Sequence, residues 1–206
     1  MKKIDIVCII DKSGSMSSIA NEAINGFNTF LKDQQNVVDY KVKMSVCLFD
    51  TKFYKLYDNL NVNKIEPMND NVYRTGGCTA LLDCLGMEME NYLDSLATKP
   101  KEKRSNKTLF IIITDGAENS SKFYHKSLIK NMIEEFREDL GIEFIFLAAN
   151  QNAFLEAENI GISRSNAYNF DATAEGITIA YNSMSSATKV YATTNSTENL
   201  FSEVKK

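Results

Sequence analysis

The sequence predicts an α/β domain, a doubly wound and largely parallel sheet with helices on both faces, and three observations carry that expectation. Ile4 to Ile10, Thr108 to Thr114 and Ile142 to Ala148 are nearly continuous apolar runs, the composition of strands covered on both faces. Segments with apolar residues at helical spacing alternate with these runs, which implies parallel strands joined by crossover helices. The first two runs each end at an aspartate, Asp11 and Asp115.

In chain order, the strand Ile4 to Ile10 is followed by a small-residue loop, Asp11 to Met16. Next comes a helix over Ser17 to Leu31, where Ile19, Ala23, Ile24, Phe27, Phe30 and Leu31 recur at helical spacing. Lys41 to Phe49 alternates as a strand, and Thr51 to Leu60 reads as another after the tight Asp50-Thr51-Lys52 connection, so an antiparallel hairpin is expected at a sheet edge. Asn61 to Gly77 is polar and without period. Gly76 and Gly77 allow a sharp turn before a helix over Ala80 to Leu96, with Thr79 placed as its N-cap. After the strand Thr108 to Thr114 come a helix near Lys126 to Asp139, the strand Ile142 to Ala148 and a short helix near Ala153 to Asn159. A short strand at Ala167 to Phe170 and a closing helix from about Thr173 to Ala187 complete the order. The polar tail from about Thr193 is expected to fray. No internal repeat or low-complexity segment divides the chain, so residues 1–206 are read as one domain.

Composition narrows the function classes. A hydrophobic fraction of 44% and a charged fraction of 24% are ordinary globular values, sufficient for a core without disulfides. A formal charge of −4 argues against nucleic acid as a partner, and the basic run Lys99 to Lys107 reads as a solvated loop. The four cysteines, Cys8, Cys47, Cys78 and Cys84, form no C-x-x-C pair, and His125 is the single histidine, which leaves too few ligands for a Cys/His zinc site. Free buried thiols in a reducing cytoplasm are expected. Met1-Lys2-Lys3 resembles the start of a signal peptide, but the following apolar run of five residues between Asp5 and Asp11 is too short for one, and no stretch is long enough to span a bilayer. The expected location is cytoplasmic, with no membrane partner.

In doubly wound sheets, ligands bind beyond the carboxyl ends of the strands where strand order reverses. Three loops fall there: Asp11 to Ser15, Gly76 to Thr79, and Thr114 to Gly116. They offer the carboxylates of Asp11 and Asp115 and the hydroxyls of Ser13, Ser15 and Thr79. This hard oxygen set suits magnesium first, with manganese or calcium as alternatives, and disfavours zinc and copper. Magnesium in such sites keeps several waters, so an exchangeable position remains that a partner's Asp or Glu carboxylate could fill. The loops supply no evident general base, which argues for binding over catalysis.

The pattern Asp11-x-Ser13-x-Ser15, the threonine of Gly76-Gly77-Cys78-Thr79-Ala80-Leu81, and Thr114-Asp115-Gly116 together resemble the von Willebrand factor type A family, integrin I domains included. All five positions of that family's metal-ion-dependent adhesion site occur in order, and the similarity in element order runs from about Lys3 to Ala187. The resemblance implies a mostly parallel six-stranded sheet with one antiparallel edge strand. It further implies that Ser13 and Ser15 bind the metal directly, Asp11 and Asp115 directly or through water, and Thr79 either way depending on conformation. The implied activity is metal-mediated protein binding.

Each of these residues has a plainer reading: Ser13, Ser15 and Thr79 as helix-capping hydroxyls, and Asp115-Gly116 as a turn. Glu118 is expected outside the ligand set or in solvent, His125 exposed at a helix start, and Tyr73 and Arg74 at the rim. The sharpest rival is an enzyme. Asp11 to Ser15 and Thr114 to Asn119 also look like the motifs of magnesium-dependent haloacid dehalogenase-like phosphatases, with Asp11 as nucleophile. The Gly76 to Leu81 segment has no counterpart there, and Lys107 lies at the wrong end of its strand. Neither G-x-G-x-x-G nor a P-loop motif marks a nucleotide site.

Overall fold

The structure, a computed structural model, describes residues 2–149, 152–194 and 196–201. Six strands form one sheet: β1 (Lys2–Asp11), β2 (Tyr40–Phe49), β3 (Phe53–Asn61), β4 (Lys107–Thr114), β5 (Glu143–Ala149) and β6 (Ala167–Phe170), in the order β3-β2-β1-β4-β5-β6. Only β3 runs antiparallel, as the edge partner of β2. The other neighbours pair in parallel. This is the predicted architecture, including the hairpin through Asp50.

The period of two along β1 sorts the core into two layers. Ile4, Ile6, Cys8 and Ile10 face α1 (Ala20–Gln35) and α5 (Ala174–Thr193), where Phe27, Phe30, Ile177, Tyr181 and Tyr191 are buried. Val7 and Ile9 face the layer of α2 (Leu81–Thr98), α3 (Lys126–Leu140) and α4 (Ala153–Asn159). Its centre is an aromatic cluster in which Phe110 stands 4.9 Å from Phe144, 5.5 Å from Tyr92 and 5.9 Å from Phe136, between ring centroids. Helices on both faces explain why the parallel strands read as continuous apolar runs.

Several local expectations are corrected. The first helix does not begin at Ser17: a 3-10 turn over Gly14–Ile19 precedes α1. The closing helix continues past Ala187 to Thr193. Part of the tail packs on the domain. Leu200 and Phe201 are buried, Phe201 packs on Tyr168 at 5.3 Å, and Asn166 donates to the Thr197 carbonyl at 2.9 Å. Two apolar residues near the end of a polar segment were enough to anchor it. Cys78 is exposed, whereas Cys8, Cys47 and Cys84 are buried free thiols as expected. Among the described residues, no helix is long and apolar enough to cross a membrane.

Candidate metal centre

β1 is the point at which the sheet changes direction: the chain first adds β2 on one side of it, then β4 on the other. The carboxyl ends of β1 and β4 therefore flank a crevice, and Asp11 and Asp115 lie there. Parity and register bring a third group to the same point. Ile10 pairs with Ile113, so Asp11 comes level with Thr114, and both side chains fall on the α2 face of the sheet. Thr114 Oγ1 accordingly donates to Asp11 Oδ2 at 2.5 Å.

The other Asp11 oxygen accepts from the Ser13 backbone N–H at 2.6 Å. Ser13 and Ser15 hydroxyls meet at 3.1 Å, and Ser15 Oγ donates to Asp115 Oδ1 at 2.6 Å. Asp11, Ser13 and Asp115 are buried and Ser15 is exposed, so the chain of oxygens runs from the sheet end to the surface. Ser13 stands before the 3-10 turn but its hydroxyl makes no capping bond, which removes the plainer reading of that residue.

Thr79 joins the same cluster from the second loop. A Cβ placed on Gly116 would sit 2.8 Å from Thr79 Oγ1, 3.3 Å from Ser15 Oγ and 3.8 Å from Asp11 Oδ2. One point over the third loop thus lies within reach of oxygens from the other two, and only a glycine leaves it open. The expectation that Thr79 caps α2 is corrected, because the N-cap position is Ala80, without a side-chain bond. Glu118 does the capping instead. Its Oε2 accepts from Leu82 N at 3.0 Å, and its Oε1 from the Ser120 and Ser121 amides. Thr79 is held by a reciprocal pair with Asn119, its N–H donating to the side-chain oxygen at 3.0 Å and its carbonyl accepting from Asn119 N at 3.1 Å. Its hydroxyl is thereby left to the cluster.

Backbone bonds lace the loops together. Gly14 N donates to Gly77 O, Gly76 N to Lys12 O, and Ala80 N to Asp50 O. Tyr73, expected at the rim, is buried, and its hydroxyl donates to the Asp11 carbonyl at 2.5 Å. Arg74 is exposed and pairs with Asn71, and His125 is exposed at the start of α3 as expected. Gly77 has φ of +72°, and an added Cβ would stand 2.8 Å from Thr51 Oγ1. Gly77→Ala should therefore lose about 1–2 kcal/mol of stability, read from urea unfolding midpoints.

The electrostatics are one-sided. Lys12, the cation next to Asp11 in sequence, is turned away, bound to Asp50 and lying 4.3 Å over the Tyr54 ring. Burial pushes Asp11 up to about 6, with the charge of Asp115 adding to the rise and the Thr114 and Ser13 hydrogen bonds opposing it; burial also raises Asp115. Among the described residues no group of three or more His, Cys, Asp or Glu side chains could hold a metal, so any ion here would rely on hydroxyls beside the two carboxylates. Two desolvated carboxylates, convergent hydroxyls and no cationic side chain fit a hard divalent cation.

A raised carboxyl group stabilises the folded state below its unfolded value, and that contribution is lost as pH rises through the folded one. In EDTA, wild-type stability should fall relative to Asp11→Asn between about pH 4 and about pH 6, by on the order of 2 kcal/mol, measured by urea unfolding at each pH. A flat difference would mean that Asp11 is solvated.

A model described as the von Willebrand factor type A domain matches residues 5–196. Among curated proteins none matches. Solved structures do. The vWF domain of the type V pili tip protein Mfa5 from Porphyromonas gingivalis is 12% identical, with a TM-score of 0.68 over 94% of this chain and 97% of that one. Proximal thread matrix protein 1 from the mussel byssus, with a zinc occupied MIDAS motif, is 17% identical with a TM-score of 0.59, over 89% of this chain. The chain spans 45% of that structure's length. Manganese-loaded Plasmodium vivax TRAP protein is 16% identical with a TM-score of 0.61, covering 86% of this chain and 72% of that one. At these identities the likeness is one of fold.

Proposed function

Because the chain belongs to the von Willebrand factor type A family, matched over residues 5–196, we propose that it is a divalent-metal-dependent protein-binding module. In this reading Asp11, Ser13, Ser15, Thr79 and Asp115 hold the metal, magnesium before manganese or calcium. The partner is a protein presenting an Asp or Glu carboxylate. The observation that carries the proposal is the point over Gly116 on which Thr79, Ser15 and Asp11 oxygens converge. Structures of similar fold with a zinc occupied MIDAS motif and with manganese loaded support it.

When bound, the metal supplies an electrophilic position that accepts a carboxylate oxygen from outside. The chain's own residues prepare for that. Thr114 and the Ser13 amide fix the Asp11 carboxylate, Ser15 orients Asp115, and Asn119 aims Thr79. Gly116 keeps the space between them clear. The groups at hand favour a non-enzymatic role, because among the described residues no histidine or lysine is placed at the cluster as a general base. The aspartyl-phosphate alternative asks Asp11 to be an accessible nucleophile, whereas both of its oxygens are engaged and the residue is 0% exposed. We further propose a cytoplasmic location, on the free buried thiols of Cys8, Cys47 and Cys84.

Thermal melts of wild type and Asp11→Ala in EDTA and in magnesium, manganese or calcium test the proposal, run beside a phosphatase assay on a generic aryl phosphate. At about a hundred times the dissociation constant, metal should stabilise wild type by about 2.7 kcal/mol and leave the variant unmoved, without turnover. Absence of any metal effect on wild type would reject the site. Turnover requiring Asp11 and magnesium would establish the enzyme instead.

A further inference from the structure

The opposite end of the sheet carries a concentration of charge of the other sign. There the first residues of β1 and β2, the last of β3 and the loop between α2 and β4 enclose an open groove of about 270 Å³, lined by Lys3, Lys41, Lys43, Lys103, Asn61 and Ser105, with Val42. Lys3 and Lys41 are direct partners in the parallel register, and Lys43 is the register partner of Asn61. Ammonium-bearing side chains on adjacent strands, about 4.8 Å apart, repel one another unless an anion lies between them. Among the described residues Lys41, Lys43 and Lys103 make no ion pair. Asp5, the register partner of Lys43, is buried and committed: it accepts from Ser105 at 2.5 Å and from Asn59 at 3.4 Å, and Lys99 stands 4.0 Å from it. Four lysines thus share one groove on a chain whose formal charge is −4.

We propose that this groove binds a multivalent phosphate, either free or as the headgroup of a phosphorylated lipid. Lysine ammonium groups bind phosphate as point charges, with the Asn61 amide as a further donor. The lining holds no aromatic ring on which a nucleobase could stack and no apolar wall beyond Val42, so the ligand's recognition rests on its charge.

The test is calorimetric titration of the full chain with tripolyphosphate in EDTA, which removes the metal site at the other pole from the measurement. Binding should weaken as salt rises and be about tenfold or more weaker in Lys41→Ala/Lys43→Ala, while Lys32→Ala on the exposed face of α1 binds as wild type. Without ligand the double variant should melt no lower than wild type, because a repulsion has been relieved, and tripolyphosphate should raise the wild-type melting temperature alone. Flotation with vesicles containing phosphatidylinositol bisphosphate, against phosphatidylserine vesicles of matched charge, separates the two sources. Binding to the first only, lost in the double variant, assigns a lipid headgroup. Binding of tripolyphosphate without either vesicle assigns a free phosphate. No binding at low salt, undiminished binding by the double variant, or equally tight binding of polyglutamate overturns the proposal.

Discussion

Gly116→Ala should abolish metal-dependent stabilisation while leaving the fold in place. The new methyl group would stand 2.8 Å from Thr79 Oγ1 and 3.3 Å from Ser15 Oγ, in the space the oxygens share. Gly116 has no left-handed backbone conformation, so the substitution is not strained for that reason. The atom most closely approached ends a side chain, which can rotate away, and its rotation removes a donor from the cluster. Metal concentrations giving wild type about 2.7 kcal/mol should give the variant no more than a few tenths, a loss of about a hundredfold in apparent affinity. Melts in EDTA and in magnesium measure both quantities. A variant that still gains the full metal stabilisation would show that the ion sits elsewhere, and one that melts far lower even in EDTA would show that Gly116 is needed for folding.

The second large effect concerns packing. Phe110 lies on β4 amid Tyr92, Phe136 and Phe144, wholly buried, and truncating it would leave a cavity bounded by three rings that are themselves fixed by strands and helices. Phe110→Ala should cost about 3–5 kcal/mol in urea unfolding. Because β4 also carries Thr114 and leads to Asp115, metal binding should weaken with global stability, whereas metal-saturated protein should recover part of the loss. A cost under about 1 kcal/mol would mean that this layer collapses readily into the space.

Much of this was legible in the residues because the governing signals are local. Ile4 to Ile10 and Thr108 to Thr114 announce buried strands by composition, and the aspartates that end them announce the crevice. The five oxygen-bearing residues could be named from three short loops. What could not be read was who holds whom. Glu118 caps α2 from 36 residues away in sequence, and Asn119 fixes Thr79 across 40. No periodicity encodes such pairings, and adjacency alone points to Thr79 as the cap. Tyr73 sits in a stretch without period and nonetheless reaches the Asp11 carbonyl 62 residues away. Thr114 is the exception that sequence could have found, since it shares strand parity with Asp11 once β1 and β4 are taken as neighbours.

The central place of β1 also governs how the molecule comes into being during synthesis. Its partner β2 emerges within the first 49 residues, but β4 begins at Lys107. Until then the nascent sheet β3-β2-β1 presents the apolar β1 run as an open edge, the arrangement most prone to pairing with a foreign strand. The oxygen cradle cannot exist during that interval, because Asp115 has not been made. Folding assisted by an ion at these oxygens can therefore begin only after Asp115 has emerged, a little past the middle of the 206 residues, and until β4 pairs the β1 edge stays open to a foreign strand.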